Sequence, residues 1–124
     1  MSRRPIIRIR VVLHEGAALG PGKADLLAAI AEYGSIAAAG RSMGMSYQRA
    51  WSLVDELNRY FRSPVVEATR GGAGRGGAHL TSVGREVLAT YRSIEQKATK
   101  YCGAEVERLR RLAPPEGPDI SAPK

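Results

Sequence analysis

The chain has 124 residues, 44% of them hydrophobic and 25% charged, with 19 Lys and Arg against 12 Asp and Glu for a net charge of +7. That length accommodates one domain of ordinary size and leaves no room for a multi-domain enzyme, and the composition excludes a disordered or fibrous chain. Aromatic residues make up only 6%, so the core is expected to consist of Ala, Leu, Ile and Val between closely approaching helices, while the basic excess points to a polyanionic partner.

In chain order, Ile7, Ile9, Val11 and Leu13 alternate with Arg8, Arg10 and Val12. This period of two predicts a half-buried N-terminal strand whose arginines face solvent. The stretch from Gly16 to Gly22, with Gly20-Pro21-Gly22, is expected to break regular structure. Leu26, Leu27 and Ile30 then recur at helical spacing between Lys23 and Tyr33, and Gly34 supplies a C-terminal stop. Ser35 is a good N-cap for a second, alanine-rich helix that Gly44 ends. Ser46 caps a third helix, in which Ala50, Leu53, Val54, Leu57, Tyr60 and Phe61 form one apolar stripe. Its other face carries Gln48, Arg49, Ser52, Asp55, Glu56 and Arg59. Trp51 is expected in the core or at its edge, together with Tyr60, Phe61 and Tyr91.

Past Pro64, Val65 to Arg70 has strand composition. Gly71 to Gly77 holds five glycines in seven residues and is expected to be a flexible tip, with Ala78-His79-Leu80 as the returning strand of a hairpin. Thr81 or Ser82 caps a last helix reaching to about Leu112, whose stripe includes Val87, Leu88, Tyr91, Ile94, Ala98, Tyr101, Cys102, Val106, Leu109 and Leu112. About 30 helical residues would reach roughly 45 Å, beyond the body of a small domain, so the stripe calls for a second copy. Tyr91, Ile94, Ala98, Tyr101, Val106 and Leu109 are the expected homodimer contacts. The alternative is a helix folded back at Gly103. The Pro-rich segment from Pro114 onward is expected to be disordered.

Several chemistries lack a constellation. One cysteine, Cys102, cannot form an intramolecular disulfide and reads as a small buried hydrophobe. It cannot complete a four-ligand zinc site with the distant His14 and His79. The letters G-x-G-x-x-G at Gly72 to Gly77 do not open a helix, as a dinucleotide site requires. No nucleophile and base pair suggests catalysis. Arg8 and Arg10 interrupt the apolar stretch from Ile6 to Leu13, unlike a signal-peptide core, and no apolar run nears the ~18 residues that span a bilayer. These features predict a cytoplasmic, nucleoid-associated chain that is no enzyme, with no metal, cofactor or membrane contact.

Two short helices joined by Gly44-Met45 match a helix-turn-helix, and the glycine-rich hairpin behind them makes it a winged one. In that reading Ser46, Tyr47, Gln48, Arg49 and Ser52 project from the first turns of the third helix into the major groove, where Gln pairs with adenine and Arg with guanine. Phosphate contacts are expected from Lys23, Arg41, Arg62, Arg70 and Arg75, with backbone N–H groups beside Ser35. Two other readings are a nucleoid-type protein that binds duplex without sequence preference and a small oxyanion-binding or interaction module built on the glycine loop.

Gly34-Ser35-Ile36-Ala37-Ala38-Ala39, Met43 to Trp51, Glu67 to Gly72 and Leu80-Thr81-Ser82-Val83-Gly84 together resemble the DNA-binding domain of molybdate-dependent transcriptional regulators, the ModE family, over about Lys23 to Lys97. The helix-turn-helix part is also similar to LysR-type regulators. The resemblance implies a winged-helix dimer on an inverted-repeat operator, acting as repressor or activator, with Ser46 to Arg49 opening the recognition helix and Gly71 to Gly77 forming the wing. Full-length members carry a C-terminal molybdate-binding region of tandem small β-barrels. This chain reaches its Pro-rich tail soon after the last helix, so the expectation is a regulator without that region, served by a separate effector-sensing protein. The expected fold is α+β, mainly α with a small hairpin wing. It divides into an N-terminal strand and loop (1–22), a winged helix-turn-helix (23–81), a dimerisation helix (82–112) and a tail (113–124).

Overall fold

The computed structural model describes residues 7–70, apart from the Arg70 side chain, and residues 76–115. Strand β1 (Val11–His14) pairs antiparallel with β2 (Ala17–Leu19). Three helices follow, α1 (Pro21–Tyr33), α2 (Ile36–Ser42) and α3 (Tyr47–Tyr60). The hairpin of β3 (Val66–Arg70) and β4 (Gly76–Leu80) leads into α4 (Ser82–Tyr101) and α5 (Gly103–Leu112). This is the α+β winged helix-turn-helix that the sequence predicts. One core joins it, with Leu26, Leu27, Ile30, Ile36, Leu57, Val65 and Tyr91 buried around Ala24, Ala39 and Ala50. Small residues fill the spaces between helices, as the composition implies.

The N-terminal strand departs from its predicted form. Ile7, Ile9 and Val11 are half-buried and alternate with exposed Arg8, Arg10 and Val12, but ladder pairing begins only at Val11. A register shift between Val12 and His14 leaves Leu13 exposed. The partner is a correction: Ala17-Ala18-Leu19, read as part of a break, is a buried strand. Burial of consecutive residues erases the period-two signal, and Gly16, at φ 81°, makes the turn that the sequence marks as a break. The Tyr91 hydroxyl donates to the Ile9 carbonyl at 2.5 Å and ties this segment to α4. Burial, together with the nearby Glu95 carboxylate, pushes that phenol above its ordinary value.

α2, α3 and α4 each start where a hydroxyl caps them, whereas α1 opens at Pro21 behind Gly20 with no side-chain cap. Ser35 Oγ accepts from the Ala38 amide, Ser46 Oγ from Arg49, and Thr81 Oγ1 from Gly84, all at 3.0 Å. Such a cap contributes about 1 kcal/mol. Gly34, at φ 74°, ends α1 as predicted. Across the domain, Arg92 on α4 reaches Asp25 on α1 at 2.8 Å and Glu95, buried on its own helix, at 3.0 Å. Burial disfavours the Arg92 charge, but the two carboxylates outweigh it and raise its pKa above the ordinary value.

The C-terminal helix is not the single rod the stripe predicts. It breaks at Cys102, between α4 and α5, beside Gly103, a poor helix former. Helical bonds flank the break, from Cys102 N to Ala98 O at 2.9 Å and from Val106 N to Cys102 O at 3.0 Å. None of α5's residues is buried, so α5 does not fold back along α4 either. Cys102, expected inside, is exposed at this joint. Of the expected tail (113–124), Ala113 to Pro115 are exposed and outside any helix, and residues 116–124 lie outside the described residues.

Gly84 marks the tightest approach in the fold. A Cβ there would lie 2.0 Å from the Val65 carbonyl oxygen, because Thr81 clamps this end of the hairpin. Its hydroxyl donates to Pro64 O at 2.7 Å and its amide to Val65 O at 3.0 Å. Gly84→Ala is expected to cost about 3 kcal/mol of unfolding free energy, read as a lower urea midpoint. Gly103→Ala, with open space around the new methyl, should leave the midpoint unchanged or higher.

Candidate nucleic-acid interface

The angle between α2 and α3 rests on a glycine. A Cβ on Gly40 would sit 2.9 Å from the Ala50 Cβ and 3.4 Å from Met45 Cγ, so the two helices touch backbone to side chain. The turn between them is closed by amides of Met43 and Met45 donating to Gly40 O, and of Gly44 donating to Arg41 O. Gly44 takes φ 71°, a left-handed conformation that favours glycine. With Ala50, Leu53, Val54 and Leu57 turned into the core, the first two turns of α3 present Tyr47, Gln48, Arg49, Trp51 and Ser52 outward. All five are exposed, as is capping Ser46.

All five residues expected to contact bases are exposed, three of them, Tyr47, Gln48 and Ser52, along one groove, and a sixth that the sequence misplaces joins them. Trp51 is 38% exposed, where the core or its edge was expected. Its ring stands edge-on to Tyr47, with centroids 6.2 Å apart and planes at 72°. The two line a groove of about 400 Å³ with Gln48, Ser52, Val54, Asp55 and Asn58. Positions 47, 51, 55 and 58 follow the helical spacing of a single face, so the signal was present but was masked by the nearness of Trp51 to the apolar stripe.

The second residue missed is Asn58, which joins α3 to the wing. Its Oδ1 accepts from the amides of Val65 at 2.8 Å and Val66 at 3.0 Å, and its Nδ2 donates to Val66 O at 3.1 Å. The far strand is anchored too, by the Ala78 amide donating to Gly34 O at 2.8 Å. β4 begins at Gly76, inside the run read as loop. Gly77 fits there because a Cβ would meet Thr69 Oγ1 at 2.9 Å. On the wing's exposed face His79 lies 3.3 Å from Glu67 across the ladder. The wing tip, Arg75 and the proposed oxyanion loop lie outside the described residues, as does the Arg70 side chain.

The predicted phosphate contacts separate into two groups. Arg41 at the end of α2, and Arg62 just beyond α3, are exposed and form no ion pair among the described residues, and the same holds for Arg49. Lys23 is different: its ammonium lies 3.6 Å from Glu56 and 5.2 Å from the centre of the Tyr60 ring. It bridges α1 to α3 within the subunit, so its charge is shared with Glu56 rather than standing alone. Ser35 is half-buried and its hydroxyl is used as a cap.

Of the residues expected to meet a second copy, Tyr91 is corrected. It is 1% exposed and its hydroxyl is bonded to Ile9, so it belongs to the subunit's own core. Ile94 at 37%, Tyr101 at 72% and Leu109 at 68% are exposed, and Ala98 and Val106 are half-buried. Ile94 also lines an apolar groove of about 270 Å³ between β1 and α4, with Val11, Leu13, Phe61 and Val87.

Three packed helices with a glycine-closed turn, an open third helix and an anchored hairpin define a winged helix-turn-helix. Residues 23–85 match the family described as bacterial regulatory helix-turn-helix protein, lysR family, and the chain belongs to it. It is 41% identical over 106 residues to the molybdenum-pterin-binding protein MopB of Rhodobacter capsulatus, covering 86% of this chain and 39% of that protein. With the molybdenum transport protein ModE of Azotobacter vinelandii it shares 34% identity over 121 residues, covering 98% of this chain and 44% of the other. With the DNA-binding transcriptional dual regulator ModE of Escherichia coli K12 it shares 38% over 81 residues, 63% of this chain and 31% of the other. The chain thus spans about two fifths of the length of the first two.

Trp51 is the only tryptophan in the chain, so its fluorescence reports this face alone. The expected spectrum is that of a solvent-contacting indole, quenched by acrylamide in the folded protein. A blue-shifted emission resistant to quencher would instead put the ring inside.

Proposed function

We propose that the chain is a homodimeric, sequence-specific DNA-binding transcription regulator of the ModE type, acting on double-stranded DNA in the cytoplasm. The observation that carries this reading is the open N-terminal half of α3, where hydrogen-bonding and apolar side chains stand together beside an anchored wing. Helix-turn-helix proteins lay this part of the second helix against base edges in the major groove. Gln48 and Arg49 have the donor geometry for adenine and guanine, and Ser46, Tyr47 and Ser52 flank them. Arg41, Arg62, Arg70 and Arg75 would set register on the phosphates, aided by the amides beside Ser35.

Dimerisation through α4 and α5 is supported by the exposure of Ile94, Tyr101 and Leu109 and by α5's burying no residue within the subunit. Such a dimer is symmetric about a two-fold axis, and its natural target is an inverted repeat with half-sites about one helical turn apart. The names of the relatives concern molybdenum transport and molybdenum-pterin binding, so genes of molybdenum handling are the proposed targets.

Selection of bound sequences from a random duplex pool, with and without molybdate, tests the reading. Enrichment of an inverted repeat is expected, and equal recovery of all sequences would refute it. On the enriched duplex, Arg49→Ala should cost about 1 to 3 kcal/mol at one base pair and relax preference there. Arg62→Ala should weaken all duplexes alike and reduce the salt slope by about one. Exchange of those two phenotypes in gel-shift titrations would reverse the assigned roles.

A further inference from the structure

Tyr47 and Trp51 are one helical turn apart and share a face. Neither serves the core, which α3 supplies through Ala50, Leu53, Val54 and Leu57. They stand 58% and 38% exposed, although aromatic rings of this size gain most from burial. Their T-shaped contact, with centroids 6.2 Å apart, holds the two rings against each other. Each has only two side-chain torsions to fix, so little conformational freedom is lost when a ligand covers them. Gln48, Ser52, Val54, Asp55 and Asn58 complete the groove that they line, with the Asp55 carboxylate met by Arg59 at 3.2 Å, and Arg49 is exposed on the same two turns. Such a mixture of apolar edges and base-pairing donors fits a nucleic-acid groove better than the uniformly apolar face of a protein partner.

In the major groove only thymine offers an apolar group, its C5 methyl, and apolar side chains read it by contact rather than by hydrogen bonds. We infer that the Tyr47 and Trp51 rings read thymine methyl groups, giving α3 a second, apolar channel of base selection beside Gln48 and Arg49. This rests on the proposal that α3 enters the major groove. It assigns to the aromatic pair a preference for thymine-containing steps that hydrogen bonding alone would not produce.

The test uses the full chain and the duplex enriched from the random pool, with deoxyuridine replacing thymidine at one position at a time. Each contacted position should lose affinity about fourfold, the factor for burying one methyl-sized group. Thymines outside the half-sites should show no effect. Tyr47→Ala and Trp51→Ala should each bind the thymine and uracil versions of one position equally while retaining the discrimination that depends on Arg49. Because the uracil series leaves the protein untouched, it reads the contact whether or not either variant folds. Indifference of the wild-type chain to uracil, methyl sensitivity retained in both variants, or enriched half-sites that contain no thymine would each overturn the inference and leave the DNA-binding proposal standing. A pool with no enrichment would overturn both.

Discussion

The contact between Gly40 and Ala50 sets the geometry of the whole reading face. Because nothing but hydrogen occupies Gly40's side-chain position, α2 lies close enough on α3 that any Cβ would fall 2.9 Å from Ala50. That approach rotates Leu53, Val54 and Leu57 into the core and the Tyr47–Trp51 edge out of it. The helical repeat then fixes much of the rest, since a face carrying 50, 53, 54 and 57 inward presents 48, 51 and 52 elsewhere, while Tyr47, at the edge of that face, is exposed at the very start of the helix. A substituent at position 40 would separate the helices and change the tilt at which α3 leaves the body, even if the core itself were tolerant.

The wing shares this frame. Asn58, three turns along α3 from its start, satisfies both amides at the entry to β3, and Gly34, which ends α1, accepts from β4. The hairpin is therefore joined to the same rigid unit as the recognition face, on both of its strands. Ion pairing within the subunit reinforces the separation of charge. Asp25, Asp55, Glu56 and Glu95 are each met by a basic partner within the subunit. Arg41, Arg49 and Arg62 have no such carboxylate among the described residues, which leaves positive charge where a polyanion would approach.

The helix-turn-helix was legible because every boundary has a local chemical cause. Ser35, Ser46 and Thr81 cap, Gly34 and Gly44 adopt left-handed conformations, and the stripe of α3 repeats at helical spacing. What was not legible depends on contacts distant in sequence. β2 carries no alternation because all three of its residues are buried. Lys23 looks like a surface cation until α1 is packed against Glu56 and Tyr60. Tyr91 fits a dimer stripe as well as a core, and only the Ile9 carbonyl, 82 residues away, decides between them. Trp51 shows the reverse, since its nearness to the apolar stripe suggested the core or its edge while the rotation of α3 puts it outside. The helix break had a weak local signal in Gly103, outweighed in the reading by the continuous apolar spacing across it.

The central claim is that the exposed edge of α3 lies in the major groove of duplex DNA. Methylation interference with dimethyl sulfate addresses it most directly, because the reagent marks guanine N7 in the major groove and adenine N3 in the minor groove. On a duplex enriched by the protein, premethylated guanines in two clusters about one helical turn apart should block binding. Interference confined to adenine N3, with N7 methylation tolerated throughout, would contradict the account.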